Sequence, residues 1–172
     1  GLVVAEPLTL IGERPAYQAS LFNSSGSNIW SGPITRIGQT RINSNGGTTL
    51  AITGGVTGGG GLCVINSGGT VAFYGKPLSI DTDQLYMDSG GITVIGVAGN
   101  TWGDTQIAGG TLRMEAANGL PAATILKIGL SYSTGGTFDL NGFSQTVGQL
   151  RNETAVAGTR TVTGGPDREP GR

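Results

Sequence analysis

Apolar and polar positions alternate in short bursts along most of this chain. Ile34-Thr35-Arg36-Ile37, Thr40-Arg41-Ile42-Asn43 and Thr49-Leu50-Ala51-Ile52 each set apolar residues against polar or small ones. That period-two pattern belongs to strands with one buried face. The series continues through Leu62 to Ile65, Val71 to Phe73, Leu78 to Ile80, Leu85 to Met87, Thr93 to Ile95 and Thr105 to Ile107. It then runs through Leu112 to Met114, Ile125 to Ile128, Thr137 to Leu140 and Thr146 to Leu150. Upstream, Leu2 to Ala5 and Leu8 to Ile11 read as strands parted by Pro7, a residue confined to strand starts, bulges and edges. Ala16 to Phe22 reads as a further strand, Asn23 to Asn28 as a turn, and the rhythm becomes regular from Trp30. The one helix-like stretch, Arg113 to Gly119, is too short to stand alone and reads as a strand end and turn.

A Gly-Gly doublet leads into five of these strands, at Gly46-Gly47, Gly68-Gly69, Gly90-Gly91, Gly109-Gly110 and Gly135-Gly136, with successive first glycines 22, 22, 19 and 26 residues apart. Strand chemistry repeating at this period, with no helix between copies, predicts an all-β solenoid with coils of about 22 residues. Three segments follow from the pattern: residues 1–26 as an N-terminal strand segment acting as junction or cap, 27–152 as the solenoid repeats, and 153–172 as terminal strands and a polar tail.

Composition agrees. Charged residues are 12% of the chain, half the usual share, and glycine (33 residues) with Ser, Thr and Asn fills the deficit, which suits strands joined by tight turns. A net charge of −1 and the absence of a basic stripe remove the case for nucleic acid. No apolar run is long enough to span a membrane as a helix. Histidine is absent and Cys63 is the only cysteine. With no histidine to activate it, and with Leu62, Val64 and Ile65 beside it, Cys63 reads as a small core residue, the alternative being a reactive thiol.

From Ser27 to Asn152 the chain resembles the autotransporter-associated β-strand repeat of bacterial surface and secreted proteins. The matching words are Asn28-Ile29-Trp30-Ser31-Gly32-Pro33-Ile34, Thr40 to Asn45, Leu50 to Leu62, Asn100-Thr101-Trp102-Gly103-Asp104-Thr105, and Asn118-Gly119-Leu120-Pro121 followed by Phe138 to Leu150. The resemblance implies a right-handed parallel β-helix, exported and displayed outside the cell as a stalk or scaffold. It implies little about activity. Two departures stand out: the chain carries no C-terminal membrane barrel, and Cys63 stands where a polar or basic residue is expected.

Candidate chemistry is sparse. Asp81 and Asp83, at i and i+2, would share one face of a strand, with Asp88 nearby. They are weak candidates for Ca²⁺ or for a polysaccharide-cleaving pair, against the plainer reading of a solvated turn after Ile80. Gly54 to Gly61 has the glycines of a phosphate loop but runs into another strand, so it reads as a solenoid corner. Trp30, Trp102, Tyr17, Tyr74, Tyr86 and Tyr132 would form a sugar-stacking strip only on a common outer face; Trp30 and Trp102 alone occupy similar words, and packing is the expected role. Asn23-Ser24-Ser25 and Asn152-Glu153-Thr154 fit the N-glycosylation pattern weakly. No cofactor motif is present.

Three functions compete. The leading expectation is a non-enzymatic extracellular protein whose ends expose strand edges and join copy to copy into a filament, the same edges being read otherwise as those of a piece of a longer passenger stalk. Its junction would involve Leu2, Val3, Val4, Leu8, Leu10 and Ile11 at one end and Val156 and Val162 at the other. The second is an adhesin binding glycans or cell surfaces. The third, a polysaccharide-degrading enzyme built on Asp81 and Asp83, is the weakest.

Overall fold

A computed structural model describes residues 1–12, 19–88, 90–130, 135–153 and 158–164. Val156, Tyr17, Tyr132, the Glu13-Arg14-Pro15 stretch and the tail from Gly165 lie outside the described residues. The chain is a parallel β-solenoid of about seven turns. Its first coil holds β1 (Val3–Val4), β2 (Leu8–Ile11) and β3 (Leu21–Asn23); the second, β4 (Ser27–Trp30), β5 (Ile34–Ile37) and β6 (Thr40–Ser44). The third has β7 (Thr49–Ile52), β8 (Val56–Gly58) and β9 (Leu62–Ile65), and the fourth β10 (Thr70–Phe73), β11 (Leu78–Ser79) and β12 (Leu85–Asp88). Later coils carry two strands each: β13 (Ile92–Ile95) and β14 (Thr105–Ile107), β15 (Thr111–Met114) and β16 (Ile125–Ile128), β17 (Thr137–Asp139) and β18 (Gln149–Asn152). The last, β19 (Thr161–Thr163), opens an eighth turn.

Strands stack by position into three sheets. Sheet A runs β1-β4-β7-β10-β13-β15-β17-β19, sheet B runs β2-β5-β8-β11, and sheet C runs β3-β6-β9-β12-β14-β16-β18. Every strand pairing is parallel and in register, so each inward position forms a column along the stack. In sheet A one column reads Leu50, Val71, Thr93, Leu112 and Phe138, and the next Ile52, Phe73, Ile95 and Met114; all nine residues are buried. Sheets B and C add Ile34, Val56 and Leu78, and Leu62, Leu85 and Leu126. Alternating residues on each strand therefore fill one continuous core, as the period-two pattern predicts.

The glycine doublets line up, with one exception. Gly69, Gly91, Gly110 and Gly136 each precede register partners Thr70, Ile92, Thr111 and Thr137 and occupy one column. A Cβ at Gly69 would meet the carbonyl oxygens of Asn45 and Ser44 in the coil beneath, so the corner admits nothing larger. The first doublet is displaced: Thr48, not Gly47, holds the column, because Thr49 pairs with Thr70. The Thr48 hydroxyl compensates by bonding the Asn45 carbonyl (2.8 Å) and the Ser44 hydroxyl (2.7 Å).

Three strand expectations shift. Asn23 to Asn28 is not a single turn, since Asn23 ends β3 and Ser27 begins β4. Gly54 to Gly61 contains a strand, β8, as well as a corner. The last sheet C strand is Gln149–Asn152, later than Thr146 to Leu150. No helix of the described residues is long and apolar enough to cross a membrane.

Candidate functional site

Arg36 is the least expected core residue. It is 1% exposed and points inward from β5, in register with Leu10 on one side and Gly58 on the other. Gly58 explains how an arginine fits: with no side chain in the next rung, the guanidinium extends over it. Nη2 donates to the Gly58 carbonyl (2.8 Å) and the Gly60 carbonyl (2.7 Å), and Nη1 to the Thr40 hydroxyl (3.3 Å). Burial pulls the Arg36 pKa below its ordinary value, against the nearby Asp83 and Asp81 charges, which push it up. The backbone at Gly58 sits at φ +102°, and a Cβ there would run into the Arg36 carbonyl. The alternation from Ile34 puts Arg36 on the inward phase, and Ile37 points outward and is 55% exposed.

Asp81 and Asp83 lie beyond the end of β11, in a turn where Asp81 adopts φ +53°, so they do not share a strand face. Asp83 Oδ2 accepts the Gly60 N–H at 2.7 Å and so braces the Gly58–Gly61 corner that Arg36 holds from inside. Asp88 sits apart on β12 in sheet C. Among the described residues no three His, Cys, Asp or Glu side chains come together to hold a metal. The corner is an intramolecular clasp: two carbonyls on a buried cation, one amide on a carboxylate.

Cys63 faces outward from sheet C but is 3% exposed. Burial pushes its thiol up to about 12, outweighing the lowering influence of Arg41, so at neutral pH it is a protonated, weakly nucleophilic group. Among the described residues the aromatics do not form a strip. Trp30 lies on the inward column of sheet A with Ile52 and Phe73. Trp102 is buried where sheet B has ended, its Nε1 donating to the Thr105 hydroxyl at 2.8 Å. Similar words thus sit at different phases of the coil. Tyr74 bonds Glu115 at 2.7 Å, and Tyr86 faces outward from sheet C.

Two surfaces remain. On the outer face of sheet B, Thr9, Thr35, Thr57, Ser79 and Thr101 stand in one register column, all exposed. The sequence hides this ladder, because the glycines from Gly54 to Gly61 read as a corner although Val56–Gly58 is a strand. The other surface is apolar and lies at the ends. The large hydrophobic side chains left exposed are Leu2, Val3, Ile11, Phe22, Ile29 and Ile37 in the first two coils, and Leu150 and Val162 in the last. The coils between expose none among the described residues. Of the expected junction residues, Leu2, Val3, Ile11 and Val162 are exposed, Val4 and Leu8 half-buried, and Leu10 is buried in the core because it alternates inward on β2. A cleft of about 140 Å³ opens at the N-terminal end, lined by Leu2, Val4, Leu21, Phe22, Trp30 and neighbours. Comparison with protein families, with curated proteins and with solved structures finds no match.

Proposed function

We propose that this chain is a non-enzymatic, extracellular structural protein, a solenoid subunit that joins end to end into a surface fibre or stalk. The observation that carries the reading is where exposed apolar side chains fall. They cluster on the two terminal regions of the stack, and among the described residues the intervening coils present none. A parallel sheet also leaves an unpaired edge at each end, and unpaired apolar edges recruit further strands. The polar groups nearest the core support the same view: the buried Arg36 and the Asp83 carboxylate hold the Gly58–Gly61 corner, and the Cys63 thiol is packed away from solvent. The outside location rests on the likeness of residues 27–152 to the autotransporter-associated repeat, and it is part of the proposal.

Electron microscopy and light scattering over a wide concentration range test it. Filaments of constant width that lengthen with concentration are expected. Rods of one copy, seven rungs or about 34 Å long at every concentration, would sink it. A second reading, an adhesin for glycans, is favoured by the hydroxyl column Thr9, Thr35, Thr57, Ser79 and Thr101, which is exposed and uncharged. Binding on a glycan array that is lost in Thr35→Ala/Thr57→Ala would support it, and an array without hits would remove it.

A further inference from the structure

We infer that copies join with a single polarity, the C-terminal edge of sheet A in one copy adding to the N-terminal edge of sheet A in the next, so that β19 lies parallel beside β1. This rests on the end-to-end reading and adds to it the partner surface and its direction.

Sheet A alone contains both the first and the last strand of the stack. Its interior junctions follow one hydrogen-bonding rule. The outward-facing residues of each strand bond backward and the inward-facing residues bond forward, as in Thr70 N–H to Thr48 C=O and Tyr74 N–H to Ile52 C=O. At the N-terminal end, the Leu2 and Val4 carbonyls accept from Ile29 and Ser31, so Val3 turns its N–H and C=O to the side where no strand pairs. At the other end, Thr161 N–H bonds Gly136 and the Thr163 carbonyl accepts from Leu140, so Val162 turns its own groups outward. Among the described residues neither edge pairs with a further strand, and the two carry complementary halves of the rule. Placed in the register of every other rung, Val162 donates to and accepts from the strand that Val3 offers.

The side chains match too. Val162 ends the inward column that contains Leu50, Val71, Leu112 and Phe138, and Leu2 begins it through Asn28. Interior members Leu50, Val71 and Leu112 are at most 4% exposed, whereas Leu2 is 63% and Val162 is 49% exposed. Both ends are exposed because the column lacks one neighbour there. Setting Val162 over Leu2, at the mouth of the N-terminal cleft, makes the column continuous. It also covers the cleft wall where Trp30 Nε1 is buried without an acceptor. A junction between two N-terminal ends would instead oppose two identical edges and leave Val162 uncovered.

Disulfide trapping tests the direction. Val3 and Thr163 share an outward column, so a β19–β1 junction places them on adjacent rungs about 4.8 Å apart, within disulfide range. Within one copy they lie seven rungs apart, so no internal bridge forms. In a Cys63→Ala background, the full chain carrying Val3→Cys and Thr163→Cys should give a ladder of covalent multimers under copper–phenanthroline oxidation. Each single variant should stay monomeric on the denaturing gel. Dimers from Val3→Cys alone, or filaments by microscopy with no trapping in the double variant, would overturn the polarity while leaving end-to-end assembly standing. Neither trapping nor filaments would overturn both.

Discussion

The first four coils and the last three close their third side in different ways. In the first four, sheet B does it with backbone, through strands of four, four, three and two residues. Beyond them only a bridge from Ser79 to Thr101 remains among the described residues, and side chains take over. Asn100 stands in register after Leu78, in the column that Ile34 and Val56 fill with apolar groups. Its Oδ1 accepts the Leu78 N–H (2.7 Å) and its Nδ2 donates to the carbonyls of Val97 (2.6 Å) and Gly119 (2.7 Å). Trp102, Thr105 and Thr124 continue the chain, ending on the Gly103 carbonyl. The two constructions tolerate different things. Past the first coil, which spans 26 residues from Val3 to Ile29, sheet A partners recur at 22, 21 and 22 residues from Ile29 to Val94, but at 19, 26 and 24 from there to Thr163. Between those inner rungs the coils with a third sheet keep a nearly constant length, whereas the coils closed by side chains vary.

The sharpest way to break this contrast is to cut the core on each side of it. Phe73 is 1% exposed between Ile52 and Ile95 in the three-sheet region, and Phe138 is 4% exposed between Leu112 and Val162. Phe73→Ala should cost about 3–5 kcal/mol and lower the urea midpoint of the whole chain, since the coils around it cannot relax. Phe138→Ala should cost less and split off an early transition, because terminal coils of a solenoid can open by themselves. Equal shifts in single transitions would mean that the two regions are held alike.

The solenoid is legible in the sequence because its causes are local and repeated: alternation fixes which side chains enter the core, and Gly69 and Gly91 mark where only a bare backbone fits. What escaped depends on the neighbouring rung. Alternation from Ile34 puts Arg36 on the inward phase, but only Gly58 in the next rung shows how a guanidinium fits there. The first doublet looks equivalent to the rest, yet Thr48 replaces its glycine in the column through hydroxyl bonds that no spacing encodes. Asp81 and Asp83 look like a paired site only if the strand runs on to Asp83, whereas β11 ends at Ser79. The end surfaces were partly legible: Leu2, Val3, Ile11 and Val162 were expected there, whereas Phe22, Ile29, Ile37 and Leu150 emerge only from the stack.

Asn100 offers an intermediate test. Asn100→Leu restores the apolar column of sheet B but leaves the Leu78 N–H and the Val97 and Gly119 carbonyls without this partner. The unmade bonds should outweigh the added apolar contact, for a net loss of about 1–3 kcal/mol. Amide exchange at Leu78 and Thr101 should speed up while Thr49 to Ile52 stays protected. A stabilised variant would show that the third side needs packing, not hydrogen bonds.

The smallest effect separates the two regions by pH. Asp139 on β17 accepts from Arg113 Nε (2.9 Å), the Asn141 N–H (3.0 Å) and the Thr163 hydroxyl (3.0 Å), tying β15 and β19 to the strand between them. Burial pushes its pKa up, but these bonds and the Arg113 charge outweigh it and hold the carboxyl below its ordinary 3.8. A folded pKa below the unfolded one gives stability that is present above the unfolded value and lost as pH falls through the folded one. Acid should therefore loosen β19, by about 0.2–1 kcal/mol because the pair is partly exposed, and leave the first four coils closed. Amide exchange at Thr161 to Thr163 below pH 4 should rise several-fold against the same residues at pH 7, and Asp139→Asn should remove the difference. If the acid response instead spread evenly to Thr49 to Ile52, the last coil would be no more separable than the rest. The contrast between backbone-closed and side-chain-closed coils would then fail at its weakest point.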